Sequence, residues 1–175
     1  MKQSAKIALC GVLSALSVVC MMLTVIPTST LALAALAGIV LMPVTLEAGI
    51  KWGFAAYASA GALVLFIAPD KEAAMLFLTF FGYYPTLKLL LDRLPKVLSW
   101  ALKLLLFNAA IVAAYLLLMF VVGLEPDEFE VFGVNMPLVL LGLGNVVFVI
   151  FDIALKGLEG IYKTRWHKIF VRVFK

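Results

Sequence analysis

A handful of side chains able to do chemistry stand inside long apolar stretches of this chain. Lys88 and Asp152 are ionisable groups set among Leu, Phe, Val and Ile, where a charge is costly unless it is paired or reaches a polar boundary. Asn108 and Asn145 each carry amide donors and acceptors that hydrocarbon cannot satisfy. Thr79, Tyr83, Tyr84 and Tyr115 add hydroxyls, and Pro85 lacks an amide donor, freeing a backbone carbonyl one turn earlier. Two kinds of chemistry suit this set. Lys88 and Asp152 can form a structural ion pair, with snorkelling of Lys88 or proton relay through Asp152 as alternatives. Thr79, Tyr83, Tyr84, Asn108, Tyr115 and Asn145 can line a mostly apolar solute-binding pocket with a few fixed polar contacts; ordinary hydrogen bonding between helices is the other reading of the same residues.

Catalytic arrangements are absent from the sequence. The single histidine, His167, lies among lysines and arginines with no paired acid or thiol. There is no His-Glu-x-x-His, no Gly-x-Ser-x-Gly and no glycine-rich phosphate loop with its lysine. Ser14, Ser17 and Ser59 have no base nearby in sequence, and the apolar stretches hold almost no acids to ligate a metal. Cys10 and Cys20 both fall in the first apolar run and read as small packing residues rather than a disulfide or zinc framework. The expectation is a protein that is no enzyme and needs neither cofactor nor metal.

The elements that must position these residues follow from composition. Of 175 residues 65% are hydrophobic and 14% charged, with mean hydropathy +1.15, against about 25% charged in a soluble domain. That excludes an ordinary soluble enzyme, a disordered tail and a nucleic-acid-binding module. A membrane crossing takes about 20 mainly apolar residues, and the uncharged run Ile7 to Leu46 suffices for two, divided at Pro27-Thr28-Ser29-Thr30. The spans read as 6–26, 30–46, Trp52 to Ala68, 73–91, Trp100 to Val122 and 136–156. Glu47 to Lys51, Pro69-Asp70-Lys71-Glu72, Asp92-Arg93-Leu94-Pro95-Lys96 and Gly123 to Asn135 supply the other breaks. The first run exceeds the core of a cleavable signal, about 7–15 residues, so it counts as a span. The expected fold is an all-α membrane protein of six transmembrane helices.

With both termini cytoplasmic, all of the 14 Lys and Arg except Lys71 fall on the inner side, while Asp70, Glu72, Glu125, Asp127, Glu128 and Glu130 fall outside. That bias is the positive-inside rule, so the net charge of +4 is a topology signal and not a surface for nucleic acid. Residues 1–156 form the transmembrane domain. Residues 157–175, where Ile161, Tyr162, Trp166, Ile169, Phe170, Val173 and Phe174 alternate with basic residues, suit an amphipathic helix at the inner interface. Helices in lipid associate by close backbone approach, for which Ser4, Ala8, Gly11 and Ala15 in span 1, Ala34 and Gly38 in span 2, and Gly49, Gly53, Ala56 and Ala60 in span 3 provide stripes. Such stripes serve contacts within the bundle or, for span 1 above all, docking of a separate membrane subunit.

The stretch Lys6-Ile7-Ala8-Leu9-Cys10-Gly11-Val12-Leu13-Ser14-Ala15-Leu16-Ser17, the turn Glu47-Ala48-Gly49-Ile50-Lys51-Trp52-Gly53 and the segment Phe81-Gly82-Tyr83-Tyr84-Pro85 resemble substrate-specific (S) subunits of energy-coupling-factor transporters. The resemblance implies an S-component-like bundle in a bacterial plasma membrane that captures a vitamin-like micronutrient from outside. It further implies partners: a transmembrane coupling subunit contacted by spans 1–3, and two ATPase subunits that drive reorientation. Outer loops and spans 4–6 would then form most of the solute site. The family docks through an Ala-x-x-x-Ala element; Gly11-Val12-Leu13-Ser14-Ala15 departs from it but keeps small residues, making Ala8, Gly11 and Ala15 the expected coupling interface. A non-transporting six-span scaffold or assembly partner shares the length, charge bias and stripes. A channel or autonomous carrier fits less well, since carboxylate rings and paired broken helices are missing.

Overall fold

The computed structural model describes residues 2–25, 30–122, 130–131 and 134–166. Six helical segments are long and apolar enough to cross a membrane. Helix α1 (Gln3–Met22) ends in a 3-10 turn, and α2 (Thr30–Ala48) and α3 (Ile50–Ile67) follow. Gly49 alone separates α2 from α3; its φ of 102° turns the chain back at once, a conformation open to glycine because it has no Cβ. The proposed break at Pro27-Thr28-Ser29 lies outside the described residues, as do Glu125, Asp127, Glu128 and His167.

The fourth span is not the single helix expected over 73–91. It begins at Lys71 and consists of α4 (Lys71–Leu76), a π-helical turn (Phe77–Phe81) and α5 (Tyr84–Leu91). The physical cause is local. Pro85 stands in the first turn of α5 and cannot donate to the Phe81 carbonyl, and the Gly82 amide bonds Phe77 O at 2.8 Å instead of Leu78 O. Unpaired carbonyls are costly away from water, and neighbouring spans accommodate both. The Tyr57 hydroxyl donates to Leu78 O at 2.6 Å, while the Phe81 carbonyl packs where a Cβ on Gly38 would otherwise sit.

The fifth span starts earlier than Trp100. Helix α6 (Lys96–Leu117) continues into a second π-helical turn (Leu118–Val122). A two-residue antiparallel ladder, β1 (Glu130–Val131) with β2 (Val134–Asn135), precedes α7. Helix α7 (Met136–Ile161) runs past residue 156 and ends in a π-helical turn (Tyr162–Trp166). The first part of the expected interfacial tail therefore prolongs the last span: no proline stands between Asp152 and Ile161, and the helix carries Gly157 and Gly160 within it.

Two apolar clusters form the core. One joins α1, α2, α3 and the start of span 4 through Leu9, Leu13, Ala34, Ala37, Ala56, Ala60, Val64 and Phe77. The other joins span 4 to α6 and α7 through Phe80, Tyr84, Phe107, Phe148 and Leu155.

Candidate functional site: a charge network beneath an aromatic cavity

Where span 4 ends and α6 begins, lysines and aspartates meet. Lys88 is four residues before Asp92, so one helical turn brings them together, and Lys88 Nζ donates to Asp92 Oδ2. Lys103, two turns into α6, reaches Asp92 Oδ1 at 2.5 Å and Asp152 on α7 at 3.1 Å. Lys88 Nζ lies 3.8 Å from Asp152 Oδ1, and the Tyr84 hydroxyl donates to that same oxygen at 2.6 Å. Lys88, Lys103 and Asp152 are buried, whereas the Asp92 side chain is about a third exposed. Two cations and two anions balance, which is the condition under which buried charges persist. Burial alone would raise the Asp92 pKa, but the hydrogen bonds from Lys103 and Lys88 outweigh it and hold the carboxyl below its ordinary value.

The expected pair Lys88 and Asp152 is thus two corners of a four-charge network, and sequence reasoning missed Asp92 and Lys103 as its other members. In the sequence Asp92 reads as part of a polar break and Lys103 as part of the inner charge bias. The usable signals were the i,i+4 spacing of Lys88 and Asp92 and the position of Lys103 inside an apolar run.

The six residues expected to bind solute do not converge on one pocket. Asn108 and Asn145 exchange side-chain hydrogen bonds, each at 3.1 Å, and each amide also donates one turn back, to Leu104 O at 2.8 Å and to Leu141 O. Two amides that satisfy each other clamp α6 to α7. Thr79 donates to Met75 O within its own helix at 2.7 Å, a local bond available to any helical threonine. Tyr84 is wholly buried against Asp152. Tyr83 is half-buried, its ring edge-on to Tyr57 at 5.5 Å, and Tyr115 is half-buried on α6.

The stripe Ala8, Gly11 and Ala15, with Ser4, faces out of the bundle, and nothing lies within 4 Å of a Cβ built on Gly11. The opposite side of α1 does the packing. Ser14 donates to Ala56 O at 3.2 Å, Ser17 to Ala37 O at 2.9 Å, and Ser59 to Ser14 at 3.0 Å. Ala34, Gly38, Gly53, Ala56 and Ala60 are buried.

Above the charge network lies a cavity of about 120 Å³, bounded by Leu31, Leu76, Phe80, Phe81, Phe107, Ile111, Leu143, Gly144, Val147, Phe148 and Phe151. Phe107 and Phe148 stack at 4.9 Å, and Phe80 meets both edge-on at 5.2 and 5.8 Å. A larger crevice of about 400 Å³ runs between α1, α2 and the end of α7, lined by Leu13, Leu16, Ile39, Val40, Met42, Pro43, Leu158, Ile161 and Tyr162.

No family model, no curated protein and no solved structure matches this chain. Its site is therefore read from its own geometry. Among the described residues no group of three or more His, Cys, Asp and Glu is assembled for a metal, and every buried polar side-chain atom has a partner. What the arrangement offers is a neutral, fully satisfied charge network and an aromatic-walled space beside it.

The last span is held by polar contacts at three levels. Asn145 bonds Asn108, Asp152 bonds Lys103 and Tyr84, and the Tyr162 hydroxyl donates to Glu47 Oε1 at 3.0 Å. Only 17% of this span is buried, against 44% of the first and 50% of the fourth.

Proposed function

We propose that the protein is the solute-capturing membrane subunit of an energy-coupling-factor type uptake transporter for a vitamin-like micronutrient, set in a bacterial plasma membrane with both termini cytoplasmic. The carrying observation is the bare small-residue face of α1. Ala8, Gly11 and Ala15 make no contact that the bundle requires, while the equivalent small residues of α2 and α3 are buried. A smooth exposed stripe on a membrane helix suits close approach by another membrane helix, which supports a coupling subunit docking on spans 1–3. The other half supports capture: a broken span 4 and a sparsely buried last span enclose an aromatic cavity over a charge network. Because that last span is tethered at separate points, a ligand that prefers one arrangement of it can shift the population between arrangements. The Lys/Arg bias supports the orientation.

Affinity purification from the native membrane tests this reading. It should recover a transmembrane coupling protein and two ATPases, and Gly11→Leu should release them while leaving thermal stability unchanged. Recovery of cell-envelope assembly proteins without an ATPase would replace transport by the scaffold reading, which needs the bare face but not the cavity.

A further inference from the structure

We infer that the cavity between span 4, α6 and α7 is a binding site for a small, flat, uncharged ring, so that the captured solute presents an apolar ring to the protein. This deepens the proposed function and rests on its reading of spans 4 to 6 as the capturing half. Three observations lead there.

The walls are the first. Phe80, Phe81, Phe107, Phe148 and Phe151 all border the space, and no side chain bearing a charge or hydrogen-bonding group does. The neighbouring polar groups are engaged elsewhere: the Asn108 and Asn145 amides bond each other, and Tyr84 is turned to Asp152. An ionised ligand would find no counter-charge, because the Phe80–Tyr84 stack, 4.5 Å between centroids, stands between the cavity and the lysine–aspartate network. Desolvating a charge there would be prohibitive, whereas aromatic edges and faces favour a further ring in offset or edge-on contact.

Size is the second. An apolar cavity of about 150 Å³ lined by Leu, Ile and Phe stays dry and accepts benzene; the space here is about 120 Å³. The space opens past the exposed Leu31, Leu143 and Val147, and a lipid acyl chain, which must cover half of a hydrocarbon core about 30 Å thick, can place only its end there.

Construction is the third. Phe80 and Phe81 are consecutive yet both reach the cavity, and they do so in the π-helical turn, whose wider winding lessens the angle between successive side chains. Across from them Gly144 leaves room: a Cβ there would lie 3.1 Å from the Phe107 ring.

The test uses the full chain in lipid nanodiscs and fluorobenzene as probe, read by fluorine NMR against empty nanodiscs. Saturable binding should appear, be displaced by benzene, and weaken at least tenfold in both Gly144→Leu and Ile111→Trp. Val112→Trp, on the exposed side of α6, should bind as wild type. Circular dichroism and thermal unfolding identify any variant that fails to fold, and the second filling variant then decides. Benzylamine and benzoate should bind at least tenfold more weakly than fluorobenzene. Signal equal to that of empty nanodiscs, indifference to both filling variants, displacement by oleate but not benzene, or equal affinity for the charged rings would each overturn the inference. Gly144-dependent ring binding without an ATPase partner would keep the cavity and remove the transport reading. ATPase recovery without ring binding would do the reverse.

Discussion

In α1–α3 small residues let the helices approach closely: Ser14 and Ser17 donate across to Ala56 O and Ala37 O, and Ala34, Ala37, Ala56 and Ala60 pack among Leu9, Leu13 and Val64. From span 4 to α7 the contacts are instead long side chains, with stacked phenylalanines, an amide pair and four charges. Close backbone seams have one good geometry and resist sliding, because interiors packed to high density are not continuously deformable. Point contacts between long side chains can be exchanged one at a time. The first half is therefore held by close seams and the second by side-chain contacts that can be exchanged separately.

Four substitutions or conditions would break or sharpen that contrast. The largest effect is expected at Asp152, since its removal leaves Lys88 and Lys103 sharing Asp92 alone. Asp152→Ala should lower unfolding free energy by about 3–5 kcal/mol, measured by denaturant titration in detergent. The charge-free double variant Lys103→Met with Asp152→Leu should recover part of the loss. Next comes the first half. Gly38→Leu drives a side chain into the Phe81 carbonyl and should cost about 1–3 kcal/mol, with no recovery from any change in α7. Smaller again is the amide clamp: Asn145→Leu should cost about 0.6 kcal/mol, with an upper bound near ~1.7, because the unpaired Asn108 keeps its bond to Leu104 O.

The smallest effect is pH dependence at Asp92. Its carboxyl is held below the ordinary value of 3.8 by Lys103 and Lys88 despite burial. A group whose folded pKa is depressed stabilises the fold above its unfolded pKa, and that stabilisation is lost as pH falls through the folded value. Melting temperature in detergent should therefore be level from pH 7 to about 5 and decline below about pH 4. Asp92→Asn should start lower and lack that part of the decline. An identical acid profile in the variant would show that the network does not depend on Asp92.

Much of the fold was legible because hydrocarbon-length apolar runs and their charged breaks are properties of sequence alone. Six helices long and apolar enough to cross a membrane are present among the described residues, with ends displaced from those expected, most of all at the last one. The break within span 4 was not legible as a π-helical turn. Pro85 signalled a freed carbonyl, but the room that Gly38 leaves for Phe81 O and the hydroxyl that Tyr57 gives to Leu78 O come from residues distant in the chain. Lys88 and Asp152 could be paired because both lie toward the basic ends of their spans, whereas Asp92 and Lys103 looked like topology charges until folding brought them within reach. Of the polar residues expected to face solute, Asn108 and Asn145 bond each other, Tyr84 bonds Asp152 and Thr79 bonds Met75 O, since a hydrogen bond within the bundle satisfies a polar group as well as a ligand does. The aromatic cavity had no signature beyond scattered phenylalanines, because which of them share a space depends on three helices at once.

Native mass spectrometry of the full chain, released gently from its own membrane, tests the capture of a solute most directly. A small compound bearing an uncharged ring should be retained at one per protein, lost from Gly144→Leu and restored to the wild type by adding the compound back. A wild-type protein that carries only lipid, and that no micronutrient in a broad panel stabilises against heat, would contradict it.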